Sequence, residues 1–201
     1  GPRSRTDSLG HIEISKPAEA VSSLSQGISA NPEAFLLYQQ AGQIELSEEN
    51  YTQANSYLDT AVKLNPQSLT ANRLYARSLY GTRNYRSASL YAERAAKMAP
   101  RDIDVLTLQA DIANQQGKIG SAIEYLKTAL NLQPASAEIQ QQLGRVYLNA
   151  NLFDASREHL ERAAAINPGW AEPLLGLGQL FTKRRLFDEA IAAYEKAVEL
   201  N

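Results

Sequence analysis

The groups able to do covalent, metal or acid–base chemistry are few. The 201 residues contain no cysteine and two histidines, His11 and His159. There is therefore no thiolate nucleophile, no thiolate zinc site and no disulfide framework, and two imidazoles are too few for an all-histidine metal site. No glycine loop runs into Lys-Ser or Lys-Thr, no serine stands in a Gly-x-Ser-x-Gly elbow, and no helix carries two histidines one turn apart. Carboxylates are scattered at helix-surface spacings, and neighbours such as Asp188 and Glu189 read as solvated surface. His159, among Glu158, Glu161 and Arg162, reads as an exposed structural histidine. Catalytic residues, metal ligands and cofactors are thus expected to be none, and the chain reads as non-enzymatic.

What remains is the chemistry of recognition. Residues 69–102 interleave Arg73, Arg77, Arg83, Arg86, Arg94, Lys97 and Arg101 with Tyr75, Tyr80, Tyr85 and Tyr91, against only Glu93 and Asp102. Residues 35–68 carry Glu45, Glu48, Glu49 and Asp59 against Lys63. A +5 segment therefore follows a −3 segment, and both are hidden in an overall charge of −2. The basic segment suits an acidic peptide. Nucleic acid is disfavoured: the neighbouring segments are not basic, and Tyr75 and Tyr85 are committed to packing. With 44% hydrophobic and 21% charged residues the composition is that of an ordinary globular chain. No apolar run approaches the roughly 20 residues that span a bilayer, so no membrane insertion is expected.

The elements that must position these groups are announced by proline. Pro32, Pro66, Pro100, Pro134 and Pro168 stand 34 residues apart. Other positions keep the same step: Tyr51, Tyr85, Ile119, Phe153 and Phe187; Ala54, Ala88, Ala122, Ser156 and Ala190; Ala61, Ala95, Ala129, Ala163 and Ala197. Within a period the apolar spacing is helical. Leu174, Leu177, Gly178 and Phe181 share one face, Phe187, Ala190, Ile191, Tyr194, Ala197 and Val198 another, and a polar break at 182–185 lies between. One unit is therefore two helices of about 13 residues joined by a turn. Proline closes the second helix, because the residue before it is pushed out of the helical region. Gly42, Ala76, Ala110, Gly144 and Gly178 hold one register on the first helix, facing the alanine register on the second, so the two axes can approach closely. A 34-residue hairpin cannot bury its apolar face alone; stacking supplies a continuous core. A long coiled coil is excluded by the recurring proline.

These residues resemble the tetratricopeptide repeat family, whose unit is 34 residues. The match is closest where Leu143, Gly144, Tyr147, Phe153, Leu160, Ala163 and Pro168 stand, and again through Leu177, Gly178, Phe181, Phe187, Ala190, Tyr194 and Ala197. It loosens at Glu45, where an aromatic is usual, at Gln109, where leucine is usual, and at Ala92, which replaces a large residue. The resemblance implies an all-α fold: a right-handed α-solenoid of about five helix-turn-helix repeats plus a partial N-terminal repeat. The expected boundaries are 17–34 for the partial repeat, then 35–68, 69–102, 103–136, 137–170 and 171–201. Trp170 is expected to pack at a unit junction. Residues 1–16 read as a flexible tail in which Gly1-Pro2 is the scar of a cleaved tag, and both chain ends read as cuts within a longer protein.

The resemblance also implies where a partner would lie, since in this family the first helices line a concave groove. Positions on those helices not used for packing are Gln39 and Gln43; Arg73, Arg77 and Tyr80; Thr107, Asp111 and Asn114; Gln141, Arg145 and Leu148; and Leu175, Gln179 and Lys183. Amides and guanidinium groups there can hydrogen-bond a peptide backbone or clamp a carboxylate. The lysine–asparagine clamp that some family members use for a peptide's C-terminal carboxylate has no counterpart at Gln39, Gln43, Leu74, Thr107 and Leu108. The implied function is a protein-interaction scaffold for a peptide or partner protein. It is similar in style to bacterial repeat proteins of envelope, pilus, secretion or polysaccharide-export assemblies. Two further readings are the repeat segment of a larger enzyme, a glycosyltransferase or protease, and self-association through the exposed ends.

Overall fold

The computed structural model describes residues 5–6, 12–13 and 16–200. The expected tail, 1–16, and His11 fall largely outside the described residues. Arg5–Thr6 (β1) pairs antiparallel with Ile12–Glu13 (β2). Everything else regular among the described residues is helix: α1 Lys16–Ala30, α2 Phe35–Ser47, α3 Tyr51–Leu64, α4 Leu69–Gly81, α5 Tyr85–Met98, α6 Ile103–Gln115, α7 Ile119–Leu132, α8 Ala137–Asn149, α9 Phe153–Ile166, α10 Ala171–Lys183 and α11 Phe187–Glu199. The fold is an all-α helical repeat of the solenoid class. First helices start at Phe35, Leu69, Ile103, Ala137 and Ala171, a step of 34. The chain divides into two compact units, residues 1–100 and 101–201, and each is described by itself.

Two backbone devices recur, one at the four second helices that run into proline and one in all five hairpins. The second helix ends where the residue before proline leaves the helical region: Asn65 at φ −136°, ψ 85°, Ala99 at −139°, 79°, Gln133 at −136°, 79° and Asn167 at −127°, 86°. That is the conformation the proline ring demands of its predecessor. The first helix ends differently. Glu49, Arg83, Gly117, Asn151 and Arg185 all have φ between 57° and 73°. The next residue's N–H then bonds back five residues, from Asn50 to Glu45 O and from Leu152 to Tyr147 O at 2.8 and 2.9 Å. This Schellman closure satisfies carbonyls that the helix end would leave orphaned. Its 34-residue spacing is invisible in the sequence, because only one of the five positions is glycine.

Side chains start the first helices. Ser68, Asp102 and Ser136 accept from the backbone N–H groups of Ala71, Val105 and Ile139 at 3.1, 3.0 and 3.2 Å. Such N-caps contribute about 1 kcal/mol each. Trp170 occupies the corresponding place before α10, half-buried and without a side-chain cap bond.

The core of each hairpin is the crossing of its two helices. A Cβ built on Gly42 would lie 2.7 Å from Leu58 Cδ2, one on Gly144 would lie 2.8 Å from Leu160 Cδ2, and one on Gly178 would lie 2.5 Å from Tyr194 Cε1. The alanines of the facing register, Ala54, Ala88 and Ala122, are fully buried. Ser156, which breaks that register, is buried too, and its hydroxyl donates to Gly144 O at 2.8 Å. The serine is tolerated because its polar group is satisfied across the crossing. Ala92, the departure noted in the sequence, is also buried; it holds the register position that Leu58, Leu160 and Tyr194 fill in the glycine hairpins.

Hairpins stack through neighbouring helices, α3 on α4 in the first unit, and α7 on α8 and α9 on α10 in the second. The first helices also touch one another, α2 with α4, α6 with α8 and α8 with α10. Second helices lie farther apart, and side chains bridge them where Ser25 Oγ on α1 and the Tyr57 hydroxyl on α3 are 3.1 Å apart. First helices therefore line the tighter, inner side of each unit and second helices splay on the outer side.

Two stability changes are expected. Gly144→Ala gains about 1 kcal/mol of helix propensity but drives a methyl into Leu160, so urea unfolding is expected to show a net loss of about 1–2 kcal/mol. Arg185→Gly relieves a side chain held at φ 60° and is expected to raise stability by about 0.5–1 kcal/mol.

Candidate functional site

The inner face of the first unit is carried by α2 and α4. Gln39 is half-buried and tied down: its Oε1 accepts from Ser68 Oγ at 3.2 Å, the same hydroxyl that caps α4. Gln43 and Arg77, one 34-residue step apart, are exposed. Arg73 and Tyr80 are half-buried, and the Tyr80 ring lies 5.6 Å from that of Tyr85 at 56°.

Behind this face the hairpins are locked by a polar layer. Ser78 donates to Asn55 Oδ1 at 2.6 Å and Asn55 donates to Thr82 Oγ1 at 3.1 Å. Tyr75 donates to Asp59 Oδ1 at 3.2 Å and packs on Tyr91 at 4.5 Å. Burial, and then the Asp59 charge, push the Tyr75 hydroxyl well above its usual range, so it stays a proton donor. Asn72, fully buried in α4, donates to the carbonyls of Pro66 and Ser68 at 2.9 and 2.8 Å. It thereby pins the proline turn to the inner helix. The exposed cations and amides thus sit on a backbone that cannot easily shift.

In the second unit the inner polar groups bond to each other. Asp111 and Arg145, again one step apart, form an ion pair, and Gln142 Nε2 adds a bond to Asp111 Oδ2 at 3.1 Å. Asn149 donates to Asn114 Oδ1 at 3.2 Å. The register expected to face the groove turns inward here: Asn114 is 7% and Leu148 3% exposed. Lys183 reaches back to Leu148 O and Asn151 Oδ1 at 3.5 Å. Gln179 is exposed, Leu175 is exposed, and Thr107 and Gln141 are half-buried, with the Thr107 hydroxyl donating to Ile103 O at 2.9 Å. Gln142 and Asn149 lie outside the expected set. The opposite charges at 111 and 145 are the available signal, because residues one period apart on inner helices are neighbours.

His159 is the clearest correction. It is half-buried between helices, its ring stacked on Tyr147 at 5.3 Å and 11°, with Nδ1 donating to Oε1 of buried Gln140 at 2.7 Å. Desolvation lowers its pKa; Glu158 opposes this, while Arg162 and Lys127 add to it. Packing of α9 on α8 draws in a ring that the charged local sequence left outside. Among the described residues no three His, Cys, Asp or Glu side chains gather in a way that could hold a metal ion, and no helix is long and apolar enough to cross a membrane.

Family models of the tetratricopeptide repeat match residues 45–112, 113–172 and 171–201. No curated protein matches the sequence. Similar solved structures include YrrB, described as a TPR protein with an unusual peptide-binding site, at 18% identity and TM-score 0.63, over 90% of this chain and 93% of that one. The TPR protein TTC0263 of Thermus thermophilus aligns at 23% identity and TM-score 0.74, over 83% and 91%. MamA of Desulfovibrio magneticus RS-1 aligns at 17% and 0.69, over 83% and 94%. At these identities the likeness is one of fold.

The lowered pKa of His159 makes stability pH-dependent with a definite sign. The unfolded chain binds a proton near pH 6.5 that the folded chain refuses, so this contribution is present above 6.5 and is lost as pH falls through the folded value. Urea unfolding from pH 7.5 to 5.5 is expected to show that decline, and His159→Phe, which keeps a ring on Tyr147, is expected to flatten it.

Proposed function

The chain belongs to the tetratricopeptide repeat family, and on that premise we propose that it is a non-enzymatic interaction scaffold whose first unit receives a partner peptide on its inner face. The observation that carries this reading is the contrast between two equivalent registers. In the second unit Asp111 and Arg145 satisfy each other, whereas Gln43 and Arg77 stand exposed at the same positions of the first. An amide and a guanidinium one repeat apart can hydrogen-bond an extended backbone and hold a carboxylate. The polar layer behind them fixes their spacing, which lowers the ordering cost of binding. The paired groups of the second unit then set the curvature of their own stack and offer Gln179 and Lys183 as lesser contacts. A peptide-binding protein of the same fold, YrrB, supports the class of ligand. That description speaks only for YrrB, so the residues proposed for this chain rest on its own geometry. Assembly into a bacterial envelope, pilus, secretion or export machine is the finer reading, and the names of the similar structures bear only on its bacterial setting.

The test is affinity capture with the full chain, followed by direct titration of the captured partner's binding segment. Arg77→Glu combined with Gln43→Ala is expected to weaken binding by roughly 30- to 2,000-fold, as loss of one charge-assisted and one neutral hydrogen bond implies at roughly 1.5–3 and 0.5–1.5 kcal/mol, while the folded helix content is unchanged. Undiminished binding by the folded double variant would contradict the inner-face reading.

A further inference from the structure

The basic segment of residues 69–102 does not face one way. Arg73 and Arg77 lie on the inner helix α4; Arg86, Arg94 and Lys97 lie on the outer helix α5. With Leu90 they step by four, four and three residues, which aligns them along one face of α5. All four are exposed, and Leu90 shows 48% of its surface at the centre of the stripe.

The three cations form no ion pair. Among the described residues no carboxylate pairs with Arg86, Arg94 or Lys97. Glu93, one turn before Lys97, is engaged instead by the Ser89 hydroxyl at 3.0 Å. The contrast with α9 is direct: there Arg157 pairs with Glu161 at 3.2 Å and Arg162 with Glu158 at 2.9 Å, so that outer face cancels its own charge. On α3 Lys63 is likewise held by Asp59 at 2.5 Å. Arg94 is laid over the Tyr91 ring at 4.9 Å, which orients its guanidinium without neutralising it. Beside it opens a concavity of about 540 Å³, walled by Pro66 and Gln67 of the α3–α4 turn and by Arg94, Lys97 and Met98.

We propose that the outer face of α5, with this concavity, is a second docking surface of the first unit, shaped for an acidic segment of a partner protein in which a large apolar side chain is flanked by carboxylates. Charge complementarity selects the acid, and the apolar groups Leu90, Pro66 and Met98 among the cations select the hydrophobe. An extended strand places residues four apart about 13 Å from each other, close to the roughly 12 Å from Arg86 to Arg94 along the helix. A peptide of the pattern Glu-x-Leu-x-Glu-Glu therefore meets Arg86, Leu90 and the Arg94–Lys97 pair in order. A nucleic acid has phosphates but no aliphatic group for Leu90.

The test is fluorescence anisotropy of a labelled Glu-Ser-Leu-Ser-Glu-Glu peptide with the full chain at low salt. Binding is expected to fall at least 10-fold in Arg94→Glu/Lys97→Glu, at least 3-fold in Leu90→Ser and with added salt, and to stay within twofold in Arg77→Glu, which separates this surface from the inner face. Arg94→Gln/Lys97→Gln, confirmed folded by circular dichroism, guards against loss through misfolding and is expected to weaken binding as well. The proposal is overturned by any one of four results: no binding of the peptide at millimolar concentration; equal binding of its Gln-for-Glu version; undiminished binding by the α5 variants; or tighter, α5-dependent binding of a single-stranded oligonucleotide or of phosphatidylserine vesicles.

Discussion

Everything in this fold depends on how closely two helices of one hairpin can approach. Gly42, Gly144 and Gly178 leave room for Leu58, Leu160 and Tyr194 to lie directly on the backbone of the partner helix, and the buried alanines Ala54, Ala88 and Ala122 do the same in return. Because interiors pack at crystal-like density, an added methyl at such a crossing has nowhere to go. The crossing sets the angle between inner and outer helices. That angle decides that inner helices of successive hairpins approach more closely than outer ones. The exposed surfaces follow from this asymmetry: a tight inner face where residues one period apart become neighbours, and a splayed outer face where each helix presents its own stripe.

The asymmetry gives equal sequence positions unequal fates. Gln43, Arg77, Asp111, Arg145 and Gln179 share one register. Within the second unit the opposite charges Asp111 and Arg145 close on each other, whereas Gln43 and Arg77 of the first unit face solvent. On the outer side α9 pairs Glu158 with Arg162 four residues on, whereas on α5 Glu93 accepts from Ser89 and forms no ion pair with Lys97. Recognition in such a scaffold is then a matter of which charges the chain leaves unsatisfied.

Much of this was legible in the sequence. The proline step gave the repeat, the small-residue registers gave the crossing, and both rest on local sterics that a residue's identity determines. Three things were not. The left-handed turn residues escaped notice because Glu49, Arg83, Asn151 and Arg185 carry no glycine signature, and tertiary closure overrides their preference for negative φ. His159 was misplaced because its charged neighbours point outward while its own ring is drawn onto Tyr147. A helical wheel places Asn114 and Leu148 on the groove-facing side but does not show that they are buried there. The split of the basic segment between α4 and α5 was implicit in the helix boundaries, yet a net charge summed over 34 residues concealed it.

If the crossing is what makes the hairpin a unit, its two helices must open together. Native-state amide hydrogen exchange of α8 and α9 reads this directly. The account predicts that core amides around Gly144 on α8 and Leu160 on α9 exchange with the same opening free energy and the same denaturant dependence. Exchange of α9 through an opening that leaves α8 protected would contradict it.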